Sequence, residues 1–349
     1  MPSAHSTDSP HKWPGPRHSG RIKVLVVGSC VYDIPFHVDR IPQLGESLIG
    51  SIAPGELGGK GFNQAVALSR LGAEVVFATG LGAADPFAQE FRDAAVREGF
   101  EMRADVVPGL STGLATPMVL PDGDNAILVD PGASTRLSGE TVAHLAKDHL
   151  IDLVVAHTET SSEALSAGAN LARGLGIPFL FSPAPWYGDA VAAHAQKCDI
   201  LVFNESEAAR FISDVTNRSG LEDPADLVCA AADLTAARLT VITLGARGAL
   251  AYSDGHLLAV PALPITMISD TVGAGDAFTA ALGFTLALGL EVVDALKLAA
   301  VAGSLACTNA GGAASMPTMC HLLSSVDLNR VVIESTSRDA LGAYVDTQR

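Results

Sequence analysis

Apolar residues fall along this chain in short continuous runs, with helically spaced apolar positions between them. The runs are IKVLVVGS (22–29), VVFATG (75–80), DLVVAHT (152–158), PFLFSPAP (178–185), DILVFN (199–204) and LTVITLG (239–245). Each reads as a buried strand covered on both faces, the usual state of a parallel strand. Amphipathic patterns lie between most of them, at NQAVALSRLGA (63–73), PFAQEFRDAAVREG (86–99), SSEALSAGANLARGLG (161–176) and PADLVCAAADLTAAR (224–238). Alternating strand and helix predicts an α/β fold on a mainly parallel central sheet.

Two regions break that rhythm. Between Tyr32 and Gly55, and between Met102 and Val129, the segments read as short antiparallel strands. STGLATPMVLPDGDNAILVD places PDGD between two extended runs, which is a hairpin signal. Such pieces form either a lid over a site or an ordinary edge hairpin. Folding signals begin after a stretch rich in Pro, Ser, His and Gly, so residues 1–21 read as a disordered tail. The organised domain is expected over 22–330, with lid segments from about 31–56 and 101–130, and a C-terminal tail or helix over 331–349.

Charge narrows the partners. With 22 Lys+Arg against 38 Asp+Glu the formal net charge is −16. A nucleic acid or an anionic membrane would be repelled, because backbone binding needs a basic footprint. An anionic small molecule must then be held by local groups. The longest apolar run, Ala277–Leu290, is too short to span a bilayer. The 5 cysteines include no CxxC pair, which suits a reducing, cytoplasmic setting.

Four stretches can carry chemistry. DTVGAGD (270–276) sets Gly273, Ala274 and Gly275 where a helix begins, at about Ala274. Small residues there let an anion approach unpaired backbone N–H groups, and Asp276 in the first turn would be a base for a hydroxyl. The alternative is a glycine-rich turn whose Asp complements the helix dipole. GELGGKGFNQ (55–64) either binds hydroxyls through backbone amides, Lys60 and Asn63, or is a plain loop-to-helix turn. It is not a Walker A loop, since no Ser or Thr follows the lysine, and VVGSCVYD lacks GxGxxG, which excludes a dinucleotide oxidoreductase. In FNESEA (203–208) Asn204 is a plausible helix cap, and Glu207 either completes the cap or helps position a hydrated Mg²⁺. TLGARGAL (243–250) reads as strand, glycine turn, strand, able to border a nucleotide, with Arg247 offsetting local negative charge.

Taken in order, these stretches resemble the PfkB carbohydrate kinases, and within them the ribokinase branch. GSCVYD, GGKGFNQAVALSRLGA, STGLATPMVLPDGDN, SPAPW, NESEA, TLGARG and DTVGAGDAFTAAL follow that family's order over about residues 22–318. The resemblance implies a three-layer ribokinase-like fold with a small β-sheet lid, and ATP-dependent transfer of a phosphoryl group to a sugar hydroxyl, ribose first. It implies that Asp276 is the base and that Gly273, Ala274 and Gly275 form the anion hole. Asp33, Gly59, Lys60, Asn63 and Glu159 would bind sugar hydroxyls, and Asn204, Thr243, Gly245 and Gly248 would line the ATP site beside Gly275. Glu207 would organise Mg²⁺ through water, and Asp270, Val272, Gly311 and Ser315 would form an activating K⁺ site. A homodimer through the lid is a further implication.

Three positions depart from the branch. Val31 stands where an Asn usually contacts the sugar, Ser182 where Asn is common, and Ala300 where an Asn often contacts adenine. The acceptor is therefore open among ribose, fructose, a nucleoside such as adenosine, and 2-keto-3-deoxygluconate. Val31, Tyr32 and Phe36 suit a substrate with an apolar face. A sugar phosphate fits poorly, for no Lys and Arg cluster lies near Lys60. A sugar- or nucleotide-sensing protein without turnover is the reading from another class.

Overall fold

The computed structural model describes residues 13, 15–121, 125–148, 150–186 and 189–328. The first part of the chain runs β1 (Lys23–Val27), β2 (Val31–Asp33), β3 (Phe36–His37), β4 (Ser51–Ile52), β5 (Glu56–Gly58) and α1 (Lys60–Arg70). Next come β6 (Glu74–Gly82), α2 (Pro86–Glu98), β7 (Glu101–Val107), β8 (Thr112–Val119), β9 (Asn125–Gly132) and α3 (Gly139–Asp148). The middle holds β10 (Leu153–His157), α4 (Ser162–Leu175), β11 (Phe179–Ser182), α5 (Asp189–Ala195), β12 (Ile200–Asn204), α6 (Glu205–Thr216) and α7 (Pro224–Asp233). The last part is β13 (Leu239–Thr243), β14 (Ala249–Ser253), β15 (His256–Val260), α8 (Ala274–Ala287), α9 (Val292–Ala306) and α10 (Met319–Leu328).

The apolar runs of the sequence become the large sheet, in the order β15-β14-β13-β12-β11-β10-β1-β6-β7. It is parallel from β13 through β7, and β14 and β15 add an antiparallel edge. Apolar side chains above it pack with α1, α2, α8 and α9, and those below it with α3, α4, α6 and α7, which makes three layers. Helix α8 is apolar nearly all round, as befits a helix sandwiched between the sheet and α9. It lies so close that a Cβ on Gly283 would sit 3.0 Å from the side chains of Leu153 and Leu180. Phe284 on this helix is fully buried, and truncating such a side chain to alanine costs about 3–5 kcal/mol.

A second, smaller sheet has the order β4-β3-β8-β2-β5, with β9 paired to β8. The hairpin expected at PDGD forms, with Val119 opposite Asn125, although residues 122–124 lie outside the described set. Two expectations fail here. The segment 101–107 does not join the small sheet, because β7 pairs parallel with β6 at the edge of the large one. Its alternating pattern looked like a half-solvated hairpin strand, but it directly follows α2 and completes a strand–helix–strand crossover. The small sheet is also mixed rather than antiparallel, since β2 and β3 both run parallel to β8.

The disordered tail expected through residue 21 is contradicted at residue 13 and at 15–21. Trp13 is 3% exposed and lies under the Arg238 guanidinium, 4.3 Å from its ring centroid. Arg17 donates from its guanidinium to the Leu175 carbonyl (2.8 Å). One large aromatic side chain anchors a segment whose polar composition hid it. The segment 331–349 lies outside the described residues.

Candidate active site

A cleft of about 620 Å³ opens where the C-terminal ends of β11, β12 and β13 meet the start of α8, beneath the small sheet. Such crevices, outside the carboxyl ends of parallel strands, are where α/β proteins bind ligands. Asp33, Gly59, Lys60, Asn63 and Glu159 line one part of it. Asn204, Glu207, Thr243 and Gly245 line another, with Val272, Gly273, Gly275 and Asp276 also on the wall.

Asp276 sits in the first turn of α8, 8% exposed. Its Oδ2 accepts from Asn63 Nδ2 (2.8 Å) and its Oδ1 from Gln64 Nε2 (3.0 Å). Lys60, Asn63 and Gln64 lie one turn apart on α1, so one helix face presents all three to the cleft side of the molecule. The helix starts earlier than the periodicity suggested, because Gly59, at φ 89°, turns the chain directly into Lys60. Gln64 is a residue the motif reading missed. Its signal was a second amide beside Asn63 on an apolar helix face.

The helix start of α8 is built on Gly273, at φ 80°. A Cβ there would lie 2.7 Å from Met316 Cε and 3.1 Å from the Gly312 carbonyl, so the position accepts only glycine comfortably. Around Gly275, by contrast, a Cβ would meet nothing within 4 Å. The space over the first N–H groups of α8 is therefore open, as an anion cradle requires. Ala274 belongs to that turn without lining the cleft, its N–H directed at the Thr271 carbonyl (3.3 Å).

Carboxylates crowd the region. Glu159, 5% exposed, accepts from Ser29 Oγ (2.6 Å) and the Lys60 N–H (3.4 Å); burial pushes its carboxyl up, while the Lys60 charge opposes this. Asp33 is pushed up to about 7 by burial first, then by Glu159, Glu56, Asp276 and Asp270. His157, fully buried nearby, is pushed down to about 3 by burial and by Lys60, which leaves it neutral.

Asn204 and Glu207 form a reciprocal cap: Asn204 Oδ1 accepts from the Glu207 N–H (2.8 Å) and Glu207 Oε2 from the Asn204 N–H (2.9 Å). The capping reading is thus realised, and both residues still face the cleft. Burial pushes the Glu207 carboxyl up. Thr243 ends β13 with its hydroxyl on the Phe203 carbonyl (3.2 Å). Gly248 is not brought to the cleft: at φ 93° it closes the turn into β14, accepting from the Leu244 N–H (2.8 Å). Arg247 pairs with Glu205 (2.5 Å).

Asp270, Gly311 and Ser315 lie behind the cleft wall. Asp270 accepts from the Val272 N–H (3.0 Å) and the Gly311 N–H (3.1 Å), and Ser315 Oγ donates to the Gly312 carbonyl (2.9 Å). Glu56, absent from the motif reading, reaches in from β5: a Cβ on Gly311 would lie 2.2 Å from Glu56 Oε2. Burial and then Asp270 push the Glu56 carboxyl up, so two carboxylates share this corner. Of the three departures, Val31 and Ser182 line the cleft, and Val31 forms an apolar wall with Ala115, Ile127 and Val129. Ala300 is buried on α9 and does not line it.

Residues 21–319 match the family model described as pfkB family carbohydrate kinase. A ribokinase of Lactococcus lactis is 30% identical over 308 residues, covering 86% of this chain and 95% of the relative. A deoxyribokinase of Salmonella typhi is 29% identical over 88% of this chain and 99% of its own length. Among solved structures, that of Arabidopsis thaliana ribokinase complexed with ribose and ATP aligns with a TM-score of 0.74 at 25% identity, covering 88% of this chain and 99% of that one. The fold, the family model and these relatives agree, and the chain belongs to the pfkB family of carbohydrate kinases, phosphotransferases with a hydroxyl acceptor.

Proposed function

We propose that this protein transfers the γ-phosphoryl group of MgATP to a hydroxyl of a ribose-type sugar. The observation that carries the reading is the placement of Asp276, held by Asn63 and Gln64, at the open helix start that joins the two parts of the cleft. Asp276 accepts the proton of the attacking hydroxyl, and the N–H groups around Gly273–Gly275 stabilise the charge on the phosphoryl in flight. Asp33, Gly59, Lys60, Asn63 and Glu159 orient the sugar, while Asn204, Thr243 and Gly245 border the nucleotide.

The residues present fit two cations. Among the described residues no three His, Cys, Asp or Glu gather into a metal cage. Mg²⁺ would therefore be carried largely by the nucleotide phosphates and water, with Glu207 holding a water. K⁺ would be held by Asp270, the carbonyls of Val272 and Gly311, and Ser315; the paired carboxylates of Asp270 and Glu56 call for positive charge there. These ions would supply charge neutralisation for a polyanion entering a protein of net charge −16.

A second reading of the acceptor rests on the apolar wall. Val31, Ala115, Ile127 and Val129 offer no hydrogen bond, which favours a 2-deoxy sugar or a nucleoside over ribose. The small sheet acts as the lid of the cleft, and its outer face joins two copies into a homodimer.

The deciding experiment is ADP release from MgATP against D-ribose, 2-deoxyribose, D-fructose, adenosine, inosine and 2-keto-3-deoxygluconate, with and without K⁺. Turnover on ribose above the others supports the first reading. Turnover on 2-deoxyribose or a nucleoside alone moves the substrate and keeps the mechanism. No ADP with any acceptor removes the ribose-type reading and leaves a sugar outside the panel or a sensor.

A further inference from the structure

A second cavity, about 340 Å³, lies at the opposite edge of the large sheet, where β11, β12 and β13 begin. Its wall carries three cationic side chains: Arg173 from the last turn of α4, Lys197 between α5 and β12, and Arg238 just before β13. Asp199 is the one acidic residue on the lining, and its Oδ2 is committed to the Phe179 N–H (2.9 Å). Among the described residues Arg173, Lys197 and Arg238 form no ion pair with a carboxylate. Trp13 forms part of the wall, with Arg238 stacked on its ring.

This concentration of positive charge runs against the whole molecule, whose net charge is −16. Three cations that pair with no carboxylate among the described residues line one cavity, and guanidinium groups match phosphate oxygens in geometry. The volume lies within the range of small-molecule sites. The catalytic cleft is at the other ends of the same strands, so the two sites are separated by the thickness of the sheet along its strands.

We propose that this cavity is a second ligand site that binds a phosphomonoester of mononucleotide size or smaller. Arg173, Lys197 and Arg238 hold the phosphate, and Trp13 forms part of the wall. The proposal does not depend on which hydroxyl compound the catalytic cleft accepts.

The test uses the full-length protein with the catalytic cleft saturated by a non-hydrolysable ATP analogue. AMP and inorganic phosphate are titrated by calorimetry into the wild type and into the double variant R173A/K197A. Both substituted side chains are exposed, and circular dichroism checks that the variant is folded. AMP and phosphate should bind the wild type and bind the variant at least about tenfold more weakly, a 1.4 kcal/mol difference. The affinity of the wild type should fall as salt is raised, whereas the ATP analogue should bind both proteins alike. Equal affinity of AMP for wild type and variant, or no binding of AMP and phosphate to the wild type, would each overturn the proposal.

Discussion

Two carboxylates in the cleft stand in different surroundings. Asp276 is held by two amide donors, so its charge is oriented without a cation. Asp276→Asn keeps the shape and removes the proton acceptor. Single-turnover and steady-state assays should show kcat reduced by roughly 10²–10⁴ with ATP and sugar binding retained; near-normal turnover would take Asp276 out of its role. Asp33 is pushed up to about 7 by burial first and then by the like charges around it. The folded state therefore binds its proton more tightly than the unfolded chain does. Stability contributed in acid is lost as pH rises between the ordinary value of 3.8 and about 7. An asparagine imitates the protonated acid. Thermal melting should accordingly find Asp33→Asn more stable than wild type above pH 7, with the gap narrowing toward pH 5, while sugar turnover falls. An equal gap at both pH values would show that Asp33 is not ionising in this way.

At the level of elements, the start of α8 separates two glycines that look alike in DTVGAGD. Gly273 is fixed by backbone, at φ 80° and against Met316 and Gly312. Gly275 has free space before it. Gly273→Ala should cost about 1–3 kcal/mol in stability, measured by denaturant unfolding. Gly275→Ala should be neutral or stabilising by up to about 1 kcal/mol, as for a glycine replaced in a helix, yet lower kcat/KM for ATP by an order of magnitude or more. A methyl that fits the protein but blocks the phosphoryl group would behave in that way. The helix start near Ala274 and the six buried strands were legible because short-range apolar pattern and small residues dictate them. The origin of β7 was not, since 101–107 alternates like a solvated strand and its partner β6 is known only once α2 has folded. Gln64 and Glu56 escaped notice for a related reason. Their meaning depends on α8 and on the Gly311 loop, which are more than 200 residues away in the chain.

For the whole molecule, the small sheet and the loop before β4 leave large aliphatic side chains in water. Leu44, Ile49, Ile52 and Leu128 are 106%, 93%, 63% and 73% exposed, and all four belong to β4, β9 or the loop before β4. Along β9 the alternation is informative: Ile127 and Val129 line the cleft, so Leu128 between them points away from it. A monomer that leaves large aliphatic side chains grouped in water gains by covering them, and a symmetric pair does so with one self-complementary patch. The same sheet would then be braced by its partner while its inner face covers the substrate, which couples assembly to closure. Sedimentation should find the wild type as a dimer at micromolar concentration and the variant I52K/L128K as a monomer. The variant should keep its fold, because both side chains are exposed, and should show a raised KM for the sugar if the pairing steadies the lid. A wild type that sediments as a monomer would leave these residues as an uncovered face and remove the pairing from the account of closure.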